Sequence, residues 1–428
     1  MKRYLLFLIC SLICSRVTYS QEVQYRKLSC KEIEALFIEN NLILLAERYN
    51  IDIADAAVAQ AKLWDNPTLS ISDVNLWSTK RQRGEISDIA SSSFTKNTEF
   101  SIELSQLIQT ANKRGKLIRR EKVSKEIALQ EFEDVLRNLK IELRKSIYDL
   151  HYAQTYMAIL TNQLESISRL VESFKNQVQQ GNIAKSELLR LQSSLLELEN
   201  EINTTRADLG EQKKSLKILL NIDPFVQIEI ADNPEKTINP DKIILQDLMQ
   251  LAEDSRPDMK QYRLHTQFHK RTLDYEKSQR IPDITLSANY DRYGGVWKDF
   301  IGFGVSIDLP FFNRNQGNIK AAKLNIDQSS YLEQQHKNII RHEVMATYNN
   351  YVNAYRFYTR ITEDSLLPEL DNMLEVYSKN LLNKNISMLE YIDFMEAYRT
   401  NKQTILTAQK NVNLQFEELQ YMIGTEIK

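Results

Sequence analysis

The sequence predicts a mainly α-helical protein with a small β part, built from two copies of one structural half. Three pairs of similar segments support this prediction, because they occur in the same order in both halves. The pairs are Pro67–Ser72 with Pro282–Ser287, Ser101–Leu104 with Ser306–Leu309, and Gly181–Ile183 with Lys384–Ile386. Their spacing of roughly 200 residues indicates duplication of a whole structural half and not a short solenoid repeat.

Residues 1–20 are predicted to be a cleaved signal peptide. Lys2 and Arg3 precede an apolar run over residues 5–14, which is too short to span a bilayer. Thr18–Ser20 places small residues at the two positions that a signal peptidase reads. We therefore expect export of the chain, with an uncleaved anchor helix as the alternative.

Composition and charge exclude several classes of protein. Removal of the signal peptide takes away cations and no acid, so the mature chain is acidic and lacks the basic face that nucleic acids require. Cys30 is then the single cysteine and cannot form an internal disulfide, and no clear lipobox precedes it. No later stretch reaches about 18 uninterrupted apolar residues, so no membrane-spanning helix is predicted. Such a chain is expected in the periplasm, in the exterior, or in the outer membrane as a β-barrel.

The first structural repeat is predicted to span residues 21–222. Its expected elements are a helix over 28–63, a strand from Leu69 onward, a polar loop over 78–98, a strand over Phe100–Leu104 and a helical pair over Lys116–Ile222. The helices show apolar residues at steps of three and four, whereas the strands alternate apolar and polar residues. A change of phase at Asp73 indicates a bulge or the end of the first strand.

The helical pair of this repeat contains no proline and has coiled-coil-like apolar spacing. An arm of about 60 residues would be roughly 90 Å long, which is too long for a compact globule. Gly181–Asn182 is the predicted turn between the two arms, because both residues tolerate left-handed backbone.

The second repeat, residues 244–428, follows a proline-rich equatorial segment over residues 223–243. Its expected elements, after a small strand over Phe225–Ile230, are a helix over Ile244–Arg280 with Pro257 in an early turn, strands over Ile284–Tyr290 and Ile301–Leu309 joined by Gly294–Gly295, and a helical pair over Ile319–Met422 broken at Asn383–Asn385. The order of elements repeats that of the first half.

The predicted strands need partners from other copies of the chain. A single hairpin is marginal in water, and four strands are too few to close a barrel. Closure around a symmetry axis would place Glu103 and Asp308 in a water-filled lumen and the apolar faces against lipid. Aromatic residues near the strand ends would then form the interfacial belt: Trp77, Tyr290, Tyr293, Trp297, Phe311 and Phe312. A small soluble sheet packed on helices is the alternative.

Two strand-to-helix elbows carry the most specific motifs. They are Asn112-Lys113-Arg114-Gly115 and Leu309-Pro310-Phe311-Phe312-Asn313-Arg314-Asn315-Gln316-Gly317. Pro310 suits a strand end, and Asn313, Asn315 and Gly317 are turn formers. With these motifs, essentially the whole mature chain resembles the TolC-like outer membrane factors of tripartite efflux systems, and within them the CzcC-like heavy-metal cation branch.

The resemblance implies both an architecture and a set of partners. It implies a homotrimer with a twelve-stranded barrel in outer-membrane lipid and a periplasmic α-barrel. It also implies a periplasmic adaptor protein and an inner-membrane RND pump as partners. The adaptor would contact the helical tips, whose residues are Gly181, Asn182, Ile183, Lys384, Asn385 and Ile386. Lys384 stands where the family usually has glycine, which puts the backbone geometry of the second tip in question.

Two acidic residues follow the second tip. Glu390 and Asp393 are three positions apart and share a helix face. In some members of the family such acids form the closed periplasmic constriction, so a trimer would present a cation-attracting ring. The alternative is a pair of solvated surface acids.

The sequence indicates no enzyme, no cofactor and no resident metal. It contains no nucleophile elbow, phosphate loop or zinc-protease helix. His265 and His269 share one helix face, but no third ligand stands near them, so a solvated face is the preferred interpretation. The function predicted is a passive outer-membrane exit duct, with heavy-metal cations as cargo. Drug efflux or type I secretion is the alternative within the family, and a periplasmic adaptor or a structural coiled-coil protein is the alternative outside it.

Overall fold

The computed structural model describes residues 24–74, 99–234, 237–292, 297, 299–363 and 366–427. Several sequence predictions fall outside these described residues. They are the signal peptide over residues 1–20, the polar loop over 78–98, the Gly294–Gly295 turn, and the aromatic residues Trp77 and Tyr293.

Helices dominate the described chain, and the duplicated order of elements is present. The first half contains β1 (Tyr25–Leu28), α1 (Cys30–Asn40), α2 (Leu42–Ala61), β2 (Thr68–Ser72), β3 (Ser101–Ile108), α3 (Lys113–Gln179), α4 (Lys185–Leu220) and β4 (Gln227–Ile230). The second contains a 3₁₀ turn (Pro240–Lys242), α5 (Leu245–Ser255), α6 (Pro257–Ser278), β5 (Ile284–Asp291), β6 (Phe300–Ile307), α7 (Gln316–Glu363), α8 (Leu366–Leu382) and α9 (Met388–Ile423). No described helix has the length and apolar character needed to cross a membrane.

The prediction of a single helix over residues 28–63 is wrong, because Leu28 is the last residue of β1 and the chain then forms two helices, α1 and α2. A reciprocal cap between Ser29 and Glu32 begins α1, with the Ser29 amide donating to Glu32 Oε2 at 2.7 Å. Asn41 then takes an extended conformation and ends α1. The buried Asn41 side chain donates from Nδ2 to the carbonyl of Leu219 at 2.9 Å, and this long-range contact fixes the break.

Pro257 also divides a predicted single helix in two. The sequence predicts one helix over Ile244–Arg280, but α5 ends before Arg256 and α6 begins at Pro257. Arg256 is extended, with φ −60° and ψ 126°. A proline disfavours helical backbone at the residue before it and fits the first position of a new helix, so Pro257 starts a helix and is not tolerated within one.

The four long strands form one antiparallel sheet in the order β2-β3-β5-β6. The hairpins of the two repeats therefore join through β3 and β5, where Glu103 pairs with Asn289. β2 and β6 are the two edges. Asp73 has φ 55° and lies just past β2, which confirms that the change of phase marks the end of this strand. The small strand β4 pairs in parallel with β1.

The chain divides into two compact units, each with segments from both repeats. One unit contains residues up to Leu42, Leu139–Ile243 and Asn349–Leu419. Its apolar cluster joins the tip-proximal ends of α3, α4, α8 and α9, and it includes Phe174, Leu191, Leu381, Met388 and Tyr391. Packing between the two helical pairs therefore stabilises this unit.

The other unit contains Ile43–Asn138, Ile244–Tyr348 and the segment from Gln420 onward. It contains the four-stranded sheet and a buried charge cluster around Arg256. The Arg256 guanidinium contacts Asp258 Oδ2 at 2.6 Å and Glu343 Oε2 at 2.7 Å. Arg137 and His336 also contact Asp258, at 3.5 and 3.0 Å, so the charges of this cluster compensate one another.

Candidate functional site

The two helical tips have the same backbone geometry. Gly181 and Lys384 both adopt left-handed conformations, with φ 77° and 59°. The amides of Asn182 and Asn385 each donate at 2.9 Å to the carbonyl five residues earlier. This is the Schellman pattern that closes a helix. The duplication therefore extends to the shape of the turn, although a lysine replaces the glycine in the second tip.

Lys384 also links the second tip to the first. Its Nζ donates to the backbone carbonyl of Asn182 at 3.2 Å. Ile183 and Ile386 follow the two turns, and both pack half-buried against the apolar cluster of the helical pairs. Two interactions thus hold the tips together. They are the apolar packing of the helices next to the turns and the hydrogen bond from Lys384 to Asn182.

Ser387 and Glu390 form a reciprocal cap at the N-terminus of α9. The Ser387 amide donates to Glu390 Oε2 at 2.7 Å, and the Glu390 amide donates to Ser387 Oγ at 3.2 Å. The hydrogen bonds from the backbone and then the side chain of Ser387 hold the pKa of the Glu390 carboxyl below its ordinary value. Asp393 lies one turn later and is exposed. The signal for this cap, a serine followed three residues later by glutamate, is in the sequence, although no cap is among the predicted features.

The first tip lacks that cap. Ala184 is the N-cap residue of α4 and makes no side-chain hydrogen bond. Glu187 stands at the position that Glu390 has in the second tip, and its amide donates to the Ala184 carbonyl at 3.1 Å. The two tips therefore share a backbone fold but differ in how their second helices begin.

The sheet has one apolar and one polar face. On the apolar face, register places Leu69 opposite Leu104, and Ala288 opposite Phe303. Within this chain that face is open: Phe303 is 87% exposed and Leu69 is 64% exposed. The apolar face continues along the strands in Ile71, Ile102, Leu286, Tyr290, Ile301, Val305 and Ile307.

The polar face carries small and polar residues in cross-strand rows, apart from the apolar residues Leu107 and Phe300. One row is Ser70, Glu103, Asn289 and Gly302. A Cβ atom on Gly302 would lie 2.4 Å from Asn289 Oδ1, so glycine leaves room for the amide. Glu103 lies in the middle of this face, as the sequence predicts. Asp308 lies just beyond β6 and is exposed.

The first elbow fastens β3 to the start of β5. Asn112 has φ 55° and precedes α3. Lys113 is buried and its Nζ lies 2.8 Å from Asp283 Oδ2. The Arg114 guanidinium lies 3.7 Å from the centre of the Trp64 ring, a cation–π contact. The two cations of the first elbow, Lys113 and Arg114, are therefore engaged by other residues of the same chain.

The second elbow, like the first, has an asparagine in left-handed conformation just before its helix. Asn315 has φ 57° and precedes α7. Its Nδ2 donates to the backbone carbonyl and to Oε2 of Glu276, at 2.9 and 2.6 Å, and its amide donates to Asn313 Oδ1 at 3.0 Å. Pro310 is half-buried and follows β6. Gly317 lies within the first turn of α7, so its interpretation as a turn former is wrong. The turn already ends at Asn315.

His265 and His269 lie on α6. Burial, and then the nearby His265, lower the pKa of His269. No group of three or more potential metal-binding side chains occurs in the described part of the chain.

The chain is similar in sequence to known outer membrane efflux proteins. The family model described as outer membrane efflux protein matches residues 35–221. The cobalt-zinc-cadmium resistance protein CzcC of Cupriavidus metallidurans is 21% identical over 364 residues, which cover 84% of this chain and 81% of that protein.

Two solved structures share the fold over nearly the whole chain. The structure of CusC has a TM-score of 0.69 at 17% identity and covers 92% of each chain. The CmeC outer membrane channel of Campylobacter jejuni has a TM-score of 0.72 at 14% identity and covers 92% of this chain and 85% of its own. These likenesses confirm the predicted fold class.

Proposed function

We propose, from the match to the outer membrane efflux protein model and the likeness to the cobalt-zinc-cadmium resistance protein, that this chain is the outer-membrane component of a tripartite efflux system and exports heavy-metal cations. It would act as a passive exit duct. An inner-membrane RND pump would supply the energy, and a periplasmic adaptor would connect the pump to the duct.

The two-faced sheet carries this proposal. Its apolar face is open to the surroundings, and its polar face bears serine, glutamate, asparagine and glycine. Barrels in outer membranes place apolar residues against lipid and polar residues toward the lumen. The edges β2 and β6 would pair with neighbouring copies, so three chains would supply a barrel of twelve strands without open edges.

The helical tips are the proposed contact with the adaptor. Their exposed backbone turns, at Gly181–Asn182 and at Lys384–Asn385, have one shape and lie at the end of a shared apolar core. Repetition of the same turn in each copy would offer an adaptor ring several equivalent docking points. Ile183 and Ile386 add a half-buried apolar contact at each point.

Glu390 and Asp393 are the proposed constriction. Both are exposed near the start of α9, and the cap with Ser387 fixes where the Glu390 carboxylate lies. Copies of these acids brought to one axis would attract cations and repel anions. The aligned residues of the first tip, Glu187 and Arg190, carry opposite charges and would have no such effect.

The metal cargo rests on the likeness to the cobalt-zinc-cadmium resistance protein and on the two elbow motifs. A strain that lacks this chain should lose tolerance to zinc, cobalt, cadmium or copper and should recover it with the full-length chain. Unchanged metal tolerance together with lost tolerance to hydrophobic drugs would replace metal efflux with drug efflux.

Membrane fractionation tests the proposed duct separately from its cargo. The chain should fractionate with the outer membrane and run as a heat-sensitive trimer on gels. A soluble monomer would contradict the duct whatever the tolerance phenotype.

A further inference from the structure

We propose that the second elbow is a binding site for anionic phospholipid headgroups of the periplasmic leaflet. The basic elbow patch, as we call it, consists of Lys277, Arg280, Arg314, Lys320 and Lys323. The inference rests on the proposed function, since it requires the sheet to lie in the outer membrane.

The basic elbow patch lines two adjoining grooves between α6 and the start of α7. The grooves have volumes of about 490 and 580 Å³ and share Arg280 and Arg314. All five cations are exposed. Among the residues that the structure describes, no acidic side chain lines either groove and none of the five cations lies in an ion pair. The result is a headgroup-sized space whose charged lining residues are all cations.

Two acids near this patch, Glu276 and Asp283, are already engaged, whereas Asp308 and Asp327 lie beyond the lining of the grooves. Glu276 Oε2 accepts a hydrogen bond from Asn315 at 2.6 Å, and Asp283 Oδ2 contacts Lys113 at 2.8 Å. The first elbow differs at the matching position. Counting back from the repeated prolines, Asp65 stands where Arg280 does, and Asp65 Oδ2 accepts a hydrogen bond from Gln109 at 2.9 Å. The second elbow thus has a cation where the first elbow has an acid.

The apolar wall of the grooves continues the open face of the sheet. Beyond Ile307, which ends β6, come Leu309, Phe311 and Phe312, which are 65%, 67% and 96% exposed. The chain thus passes directly from the apolar face into the basic elbow patch. Aromatic side chains followed by cations are the order that a membrane–water interface favours. Arginine also matches the geometry of a phosphate.

A second copy of the chain is a poor occupant for the same grooves. The matching segment of the first elbow also carries an excess of cations, because Lys116 and Arg119 stand there beside Lys113, Arg114 and Arg120, which are engaged within the chain. Apposition of two cationic segments would be repulsive, whereas a phosphodiester would neutralise the patch. Charge complementarity therefore favours the lipid.

Native mass spectrometry of the purified full-length trimer tests the proposal. The trimer would be titrated with phosphatidylglycerol, with phosphatidylethanolamine, and with inorganic phosphate at the same phosphate concentration. We expect preferential retention of phosphatidylglycerol. The triple variant R280Q/R314Q/K323Q should weaken that binding about tenfold or more, since each cation near a membrane surface contributes to the attraction of anionic lipid.

A matched triple variant controls for the change in net charge. R169Q/K175Q/K379Q removes three exposed cations from the other compact unit, and it should bind phosphatidylglycerol as the wild type does. Equal binding by both triple variants would overturn the proposal. Competition by inorganic phosphate as effective as the lipid would also overturn it, because the site would then be a general anion site.

Three further outcomes distinguish failure of the lipid site from failure of the proposed function. Loss of the trimer in R280Q/R314Q/K323Q alone would show that the patch is an interface between copies, and it would overturn the lipid site. A wild-type chain absent from the outer membrane would contradict the proposed function itself. A trimer present in the outer membrane without preference for phosphatidylglycerol would contradict only the lipid site.

Discussion

Lys384 donates a hydrogen bond from Nζ to the backbone carbonyl of Asn182 at 3.2 Å and so connects two turns that are 202 residues apart in the chain. The same lysine holds φ 59°, the left-handed conformation that Gly181 holds in the first tip. A lysine in that conformation is strained. The backbone of the second tip is therefore more strained than that of the first, but the Lys384 side chain makes a contact that glycine could not make.

Replacement of this lysine should separate backbone strain from the side-chain contact. Lys384→Gly relieves a left-handed strain of about 1 kcal/mol but loses an exposed hydrogen bond of about 0.5 kcal/mol. Lys384→Ala keeps the strain and loses the same bond. We expect the glycine variant to be more stable than the alanine variant by about 1 kcal/mol, measured by thermal unfolding followed by circular dichroism. Equal stability of the two variants would show that the turn relaxes.

The unequal caps of α4 and α9 give opposite predictions for the two tips. Ser387→Ala removes the cap of α9 and should cost about 1 kcal/mol. Ala184→Ser supplies the missing serine three residues before Glu187 and should gain a few tenths of a kcal/mol or more. Thermal unfolding of both variants measures the effect. A loss of stability in Ala184→Ser would contradict the equivalence of the two turns.

The charge cluster around Arg256 predicts a sensitivity to acid. Burial alone would raise the pKa of Asp258, but Arg256, together with Arg137 and His336, holds it well below its ordinary value. A depressed pKa gives stability that is complete above about pH 4 and is lost as the pH falls toward the folded-state pKa. Asp258→Asn should therefore lower stability by about 3 kcal/mol at neutral pH.

The same variant should also flatten the dependence of stability on pH below about pH 4. Melting temperatures measured across acidic and neutral buffers give both quantities. Asp254→Asn is the matched control, because that carboxylate is 57% exposed and lies 3.7 Å from its partner Arg263. It should change stability by about 0.5 kcal/mol or less. Similar losses of stability in the two variants would mean that the buried cluster stabilises the protein no more than an exposed ion pair does.

Tyr351 fastens the equatorial segment to the helices. Its side chain is buried, and its hydroxyl accepts a hydrogen bond from the Ile238 amide at 3.1 Å and donates to the Ile238 carbonyl. Tyr351→Phe leaves both backbone groups without this partner and should cost about 1–3 kcal/mol. Tyr355→Phe, on the same helix and only half-buried, should cost much less. Proteolysis of the segment around Ile238 would report local release.

The proposed constriction predicts a change in ion selectivity. Asp393→Asn removes one acid per copy without touching the cap between Ser387 and Glu390. We expect a lower preference for cations over anions, measured as the reversal potential of reconstituted channels in a salt gradient. Glu187→Gln removes an acid from the first tip and serves as control. Equal effects of the two variants would place the selective ring elsewhere.

Periodicity and turn chemistry allowed most elements to be predicted from local sequence. The long helices and the alternating strands each carry a pattern that needs no distant partner. Besides the position of Gly317 and the cap between Ser387 and Glu390, the failures were breaks within apparently continuous helices. Asn41 interrupts one because a backbone carbonyl at Leu219 accepts its side chain, and no local pattern contains that information. Pro257 is different, since its effect on the preceding residue is local and is a sequence signal for the break.

By itself, the sequence determined the duplication, the helical and strand segments and the two turns, because spacing of apolar residues and tolerance for left-handed backbone are properties of neighbouring residues. Only the tertiary structure decided how distant charges pair. It showed that Lys113 is neutralised by Asp283 whereas Arg280 and Arg314 line open grooves. It also showed that Lys384 reproduces the turn of Gly181. The physical reason is that compensation of a charge, or of a strained turn, depends on groups brought near by folding and not on those adjacent in the chain.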